Sequence, residues 1–254
     1  MTAAPGYAGL MDEAIELLRS RLAASSVWAF KDARTSRLLF FWREAFTHVG
    51  ASGRYILALR DPLSVAESMR EMFGLKPRLS YAIWLDFAVR SIQDSLDQPQ
   101  LVVSYDRLLA DPGAQVRRIA RKFGIESSIN EAELALYQNE FIDKSLCHAA
   151  FTQADVARRC AGVPLAAECF DLLTRAAADE LTGKDFLNSW SRLVQRYSQD
   201  RPGFMAANPD LTDPKRLRIS FASRWALRLK KRGWAAVGDF CQAAARRALP
   251  KKHG

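Results

Sequence analysis

The sequence predicts an α/β chain, with a parallel sheet flanked by helices in its first half and a helical second half. Three observations predict it. Short apolar runs of strand length end in polar residues, stretches of helical spacing separate those runs, and no strand candidate follows Glu131. Strands joined by helix-length connections pair in parallel, because the chain needs that length to return to the same edge of a sheet.

Taken in order, Gly9 to Ala24 places Leu10, Ala14, Leu17, Leu18 and Leu22 at helical spacing. Val27-Trp28-Ala29-Phe30 reads as a short buried strand and Leu38 to Phe46 as a helix. Tyr55 to Leu59 is the second strand, and Pro62 to Phe73 a helix with Asp61 as its cap and proline at its first position. Ser80 to Leu96 is a long helix whose one face carries Tyr81, Trp84, Leu85, Ala88 and Ile92. Gln100 to Ser104 is the third strand and Pro112 to Phe123 a further helix. Val163 to Leu181 and Phe186 to Tyr197 read as helices, and Arg201-Pro202-Gly203 and Asn208-Pro209-Asp210 punctuate a linker. The organisation expected is an α/β domain over 1–150, a helical extension of it over 151–200, and a linker and basic amphipathic tail over 201–254.

The formal charge of +9 belongs to that tail. From Lys215 onward there are twelve Lys and Arg against one acid, Asp239, which leaves 25 basic and 27 acidic residues in the first 214. Trp225, Leu229 and Trp234 alternate with Arg224, Arg228 and Lys231. Two roles fit: peripheral contact with an anionic membrane through 215–252, or a terminal helix packed on the domain with its arginines in water. Nucleic acid is not expected as a partner. No apolar run is long enough to span a bilayer, and the first residues carry no leader pattern, so a cytoplasmic location is expected, with the tail as the only membrane contact. Cys147, Cys160, Cys169 and Cys241 show neither C-x-x-C pairing nor histidines at zinc-finger distances. Reduced, packed thiols and no metal are the expectation.

The chemistry lies at the strand ends. The first strand ends in Lys31-Asp32-Ala33-Arg34, the second in Arg60-Asp61 and the third in Ser104-Tyr105-Asp106. In a parallel sheet these ends share one edge, where open α/β folds bind ligands. Lysine as a point charge, arginine as a fork and a tyrosine suit a polyanion. At Arg60 the free amides of the following helix would add to the clamp. The plain alternative is that Arg60 pairs with a nearby carboxylate and that Ser68 is an ordinary surface serine.

Lys31-Asp32-Ala33-Arg34, Arg60-Asp61-Pro62 with Ser68, and Val102-Val103-Ser104-Tyr105-Asp106-Arg107-Leu108-Leu109-Ala110-Asp111-Pro112 together resemble successive elements of the sulfotransferases that use 3′-phosphoadenosine 5′-phosphosulfate (PAPS). The likeness is to the bacterial branch with a K-D-P-R strand end, distantly like the tyrosylprotein sulfotransferases, and it runs from about Trp28 to Gly124. It implies a P-loop kinase-like parallel sheet and PAPS as sulfuryl donor. By the same resemblance Arg60, Ser68 and Tyr105 bind the cofactor at its 3′-phosphate side. Lys31 stabilises the sulfuryl group in transfer, and Asp32 and Arg34 assist or orient it. The acceptor implied is a small molecule or glycan, with a hydroxyl or amine to be sulfated.

The sequence departs from the family in two places. Ala33 stands where the pattern has proline. No strand followed by R-S-G-T, the loop that holds the 5′-phosphosulfate, precedes Lys31, so the chain reads as N-terminally truncated. Two readings follow: a PAPS-dependent sulfotransferase, or a truncated, inactive sulfotransferase-like module that binds a nucleotide or partner. His148 is the histidine that could face an acceptor, although a lone histidine more often serves structure.

Overall fold

The computed structural model describes residues 7–25, 27–32, 35–141 and 151–207. They are mostly helical, with one small sheet of two parallel strands. Helices α1 (Tyr7–Ala24) and α2 (Leu39–His48) precede strand β1 (Tyr55–Leu59). Helices α3 (Pro62–Phe73) and α4 (Pro77–Gln93) form the connection to strand β2 (Gln100–Ser104). Then come α5 (Tyr105–Ala110), α6 (Pro112–Phe123), α7 (Glu131–Leu136), α8 (Gln153–Arg159), α9 (Pro164–Ala177) and α10 (Gly183–Ala207). A 3₁₀ turn over Thr35–Arg37 leads into α2.

The two strands occupy the residues expected of them and pair in parallel, Tyr55 opposite Gln100 through Leu59 opposite Ser104. The expected strand at Val27–Phe30 is not formed; those residues have irregular backbone. Their apolar side chains are used otherwise. Trp28 stacks on Phe30 at 5.2 Å, and Phe30 lies 4.6 Å from Trp42 of α2. The run therefore supplies aromatic cover to the α1–α2 pair, whose core is Met11, Ala14, Leu18 and Ala45, and no strand edge claims it. The three-stranded edge expected from sequence is thus a two-stranded one among the described residues.

The same punctuation builds α3 and α6. Each begins with an aspartate cap and a proline at its first position, Asp61-Pro62 and Asp111-Pro112. The caps accept the amides of Ser64 at 2.7 Å and Ala114 at 2.8 Å. Each ends at a left-handed glycine, Gly74 with φ 68° and Gly124 with φ 64°, a conformation that costs glycine nothing. The long helix reads as Ser80–Leu96 in sequence but starts three residues earlier, because Pro77 suits a first turn.

The faces of the sheet follow the two-residue period of its strands. Leu57, Leu59 and Val102 join the main core with Trp84, Leu85 and Ile92 of α4, Phe170 and Leu173 of α9 and Trp190 of α10. Leu101 and Val103 turn to the opposite face and meet Phe123 of α6. One core therefore holds elements from both sides of residue 150. Cys160 and Cys169 are buried in it as free thiols, and burial pushes Cys160 up to about 11 and Cys169 upward as well. Cys147 and Cys241 lie outside the described residues, as do Asn208-Pro209-Asp210 and the basic tail. The linker expected from Arg201 begins inside α10, which runs through Pro202 to Ala207.

Arg118 of α6 fastens this core from the side. Its guanidinium donates to both carboxylate oxygens of Asp179 at 2.7 and 2.6 Å and to the carbonyl of Val102 in β2 at 2.9 Å. The Arg118 side chain is only 12% exposed, so its loss strands acceptors on two elements. Arg118→Ala is expected to cost about 2–3 kcal/mol of folding stability, read as a lower urea midpoint at unchanged slope.

Candidate functional site

The sheet register creates the site. Leu59 lies opposite Ser104, so the next residues, Arg60 and Tyr105, leave the two strands side by side. The Arg60 guanidinium sits over the Tyr105 ring, 4.9 Å from its centroid. Such a contact contributes about 0.5–1 kcal/mol near a surface and holds the cation in place without neutralising it. Both residues are half-buried. Among the described residues no carboxylate forms an ion pair with the Arg60 guanidinium, so its fork keeps its donors. The backbone of Arg60 is fixed separately, its carbonyl accepting the indole N–H of Trp84 at 3.0 Å.

The start of α3 contributes less than its position promises. Pro62 has no N–H, the Ser64 amide is taken by the Asp61 carboxylate, and the Val65 amide is bonded to the Asp61 carbonyl at 3.2 Å. The free amides expected beside Arg60 are largely spent within the helix. Anion recognition there rests on side chains.

Three neighbours carry no functional reading in the sequence. Ser64 is 94% buried and its hydroxyl has no hydrogen-bond partner among the described residues; it lies one turn before Ser68 on the same side of α3. Asp106 follows Tyr105, and its pKa is raised by desolvation and then by the Asp61 carboxylate, while Arg60 acts to lower it. Trp84 sets the height of Arg60. The spacing of serine three residues after a capping aspartate was the available signal for Ser64; Trp84 gave none beyond its place on an apolar face.

The remaining candidates stand apart. Ser68 is exposed on α3, two turns from its start. Lys31 and Asp32 are exposed in the irregular stretch before the 3₁₀ turn, where the Asp32 carbonyl accepts the Thr35 amide at 3.0 Å. Among the described residues no hydrogen bond or ion pair joins Lys31 to Arg60 or Tyr105. Arg34 and His148 lie outside the described residues. A groove of about 730 Å³ elsewhere, between α8, α9 and α10, contains none of the predicted residues.

Comparison with family models, curated proteins and solved structures found no match. The reading of the site therefore rests on its own geometry. Among the described residues no group of histidine, cysteine, aspartate and glutamate is arranged to hold a metal ion, and no helix is long and apolar enough to cross a membrane. What remains at the strand ends is an open guanidinium fork on an aromatic plate, with the exposed Asp106 carboxyl beside it. That arrangement suits a phosphate attached to a planar or sugar-bearing group.

Proposed function

We propose that the protein binds PAPS at the ends of β1 and β2 and transfers its sulfuryl group to a hydroxyl or amine of an acceptor, a glycan by preference. The observation that carries this reading is the Arg60 guanidinium, without an ion pair among the described residues, held over Tyr105 at adjoining ends of parallel strands. Arg60 and Tyr105 fit the 3′-phosphate side of the nucleotide, Ser68 would add a hydroxyl to it, and Lys31, Asp32 and Arg34 are assigned to the reacting side by the family resemblance. PAPS supplies an activated sulfuryl group. An acceptor oxygen attacks its sulfur, the bond to the phosphate oxygen breaks, the hydroxyl proton passes to a base, and 3′-phosphoadenosine 5′-phosphate (PAP) departs. Such a displacement depends on positioning and on charge placed against the departing oxygens, which is the part a lysine or arginine performs.

A specific observation favours a second reading, a nucleotide-binding module without transfer. Residues 27–30 form no strand, so Lys31 is not carried on the sheet edge that positions Arg60. Calorimetry with PAP, followed by transfer of labelled sulfate from PAPS to a panel of sugars and phenols, tests both. Saturable PAP binding with transfer is the expected result. Binding without transfer assigns the module, and no heat at millimolar PAP overturns both readings.

A further inference from the structure

Two residues beyond Trp84, and so on the opposite side of α4, a second group of charges is gathered around Asp86. The Asp86 side chain is only 16% exposed. It accepts a hydrogen bond from the Tyr197 hydroxyl of α10. Arg37, at the end of the 3₁₀ turn, donates from Nη1 at 2.5 Å, and the Nε atoms of Arg90 and Arg201 each lie at 3.4 Å. Arg37 also covers the ring of Phe87 at 4.9 Å.

The charges do not balance. One carboxylate faces three guanidiniums, a local excess of two positive charges on side chains 36–39% exposed. Burial works against the charge of Asp86, but the Tyr197 hydroxyl and the arginines outweigh it and lower its pKa, so it stays ionised. Burial and then Asp86 push Tyr197 up to about 12, so this hydroxyl adds no negative charge. Asp94, the C-cap of α4, and Asp200 of α10 act on Arg43 and Arg196. Arg90 and Arg201 reach Asp86 through Nε alone, and their terminal nitrogens have no protein acceptor among the described residues. Three half-desolvated forks with unused donors converge where the protein supplies one anion.

We propose that Arg37, Arg90 and Arg201 bind a tetrahedral oxyanion, a phosphate or sulfate ester carried by the acceptor. The oxyanion-binding part stands on the cluster alone; its assignment to an acceptor rests on the reading given under Proposed function. Arg37 follows Lys31 by six residues in the chain, which is the link between this cluster and the proposed reacting end. The acceptor class this selects is a glycan that already bears an anionic ester.

The test uses the full chain carrying Arg60→Ala, which removes the nucleotide fork, and inorganic pyrophosphate as probe at low ionic strength. Saturable binding is expected, weakened at least tenfold by adding R90Q and R201Q. Arg37 stays to pair with Asp86, so the melting temperature is expected to hold. R90Q alone, at a half-buried helix position, is expected to weaken binding about threefold and serves if the double substitution does not fold. Equal pyrophosphate affinity with and without these substitutions overturns the proposal, as does absence of saturable binding. With Arg60 intact, PAP affinity is expected to be untouched by R90Q and R201Q; loss of PAP binding in the parent chain alone would sink the nucleotide reading and leave the oxyanion site standing. Glucose 6-phosphate and glucosamine 6-sulfate, competed against pyrophosphate, distinguish the two esters, and failure of both overturns the assignment to an acceptor.

Discussion

Arg60→Ala is expected to lower the affinity for PAP by on the order of 100-fold while lowering the melting temperature by only about 1–4 °C. The separation of the two effects comes from how Arg60 is held. Its structural bond is made by the carbonyl, which accepts from Trp84 at 3.0 Å, and alanine keeps that carbonyl. Its side chain makes only the contact with the Tyr105 ring, worth about 0.5–1 kcal/mol at a half-exposed position. A bidentate guanidinium–phosphate pair consists of two charge-assisted hydrogen bonds at roughly 1.5–3 kcal/mol each, and losing it accounts for the larger effect. Arg60→Lys is expected to fall between, near tenfold, because an ammonium keeps the charge and loses the fork. Calorimetry on the three proteins reads the series directly. If Arg60→Ala binds PAP as tightly as the parent chain, the phosphate lies elsewhere and the strand-end site is wrong.

Much of this fold was legible wherever local signals agreed. Tyr55–Leu59 and Gln100–Ser104 are short apolar runs bounded by turn residues, and both became strands over those same residues. Asp61-Pro62 with Gly74, and Asp111-Pro112 with Gly124, mark both ends of two helices from cap chemistry alone. The run Val27-Trp28-Ala29-Phe30 misleads because periodicity over four residues cannot tell a ladder from aromatic cover, and the competitor was the α1–α2 pair. Pro202 reads as a breaker, yet α10 continues through it. At the site, the meeting of Arg60 and Tyr105 follows from parallel register and could be read ahead. The Asp86 cluster could not, since Arg37 and Arg201 come from elements 49 and 115 positions away from Asp86 in the chain.

Trp190→Ala is expected to cost about 3–5 kcal/mol, a fall of some 10 °C or more in melting temperature. Trp190 is 1% exposed, stacks on Phe186 with ring centres 5.8 Å apart, and donates its indole N–H to Gln93 of α4 at 3.2 Å. Two terms make up the loss. The larger is the cavity left where α10 packs among α4 and α9, since an indole buries more area than any neighbour can recover by relaxing. The smaller is the hydrogen bond, about 1 kcal/mol, because Gln93 is exposed and water replaces the indole. Trp190→Phe separates them: it keeps most of the apolar volume, and a loss of about 1–2 kcal/mol is expected. The effect reaches the oxyanion cluster as well. Tyr197 and Arg201 lie two and three turns beyond Trp190 on the same helix, so a loosened α10 withdraws two of the groups gathered at Asp86. Pyrophosphate affinity is therefore expected to fall with Trp190→Ala and to survive Trp190→Phe, whereas PAP affinity follows the β1–β2 edge and changes with neither until the chain unfolds. Equal stability of the parent and Trp190→Ala in urea would show that α10 is not part of this core.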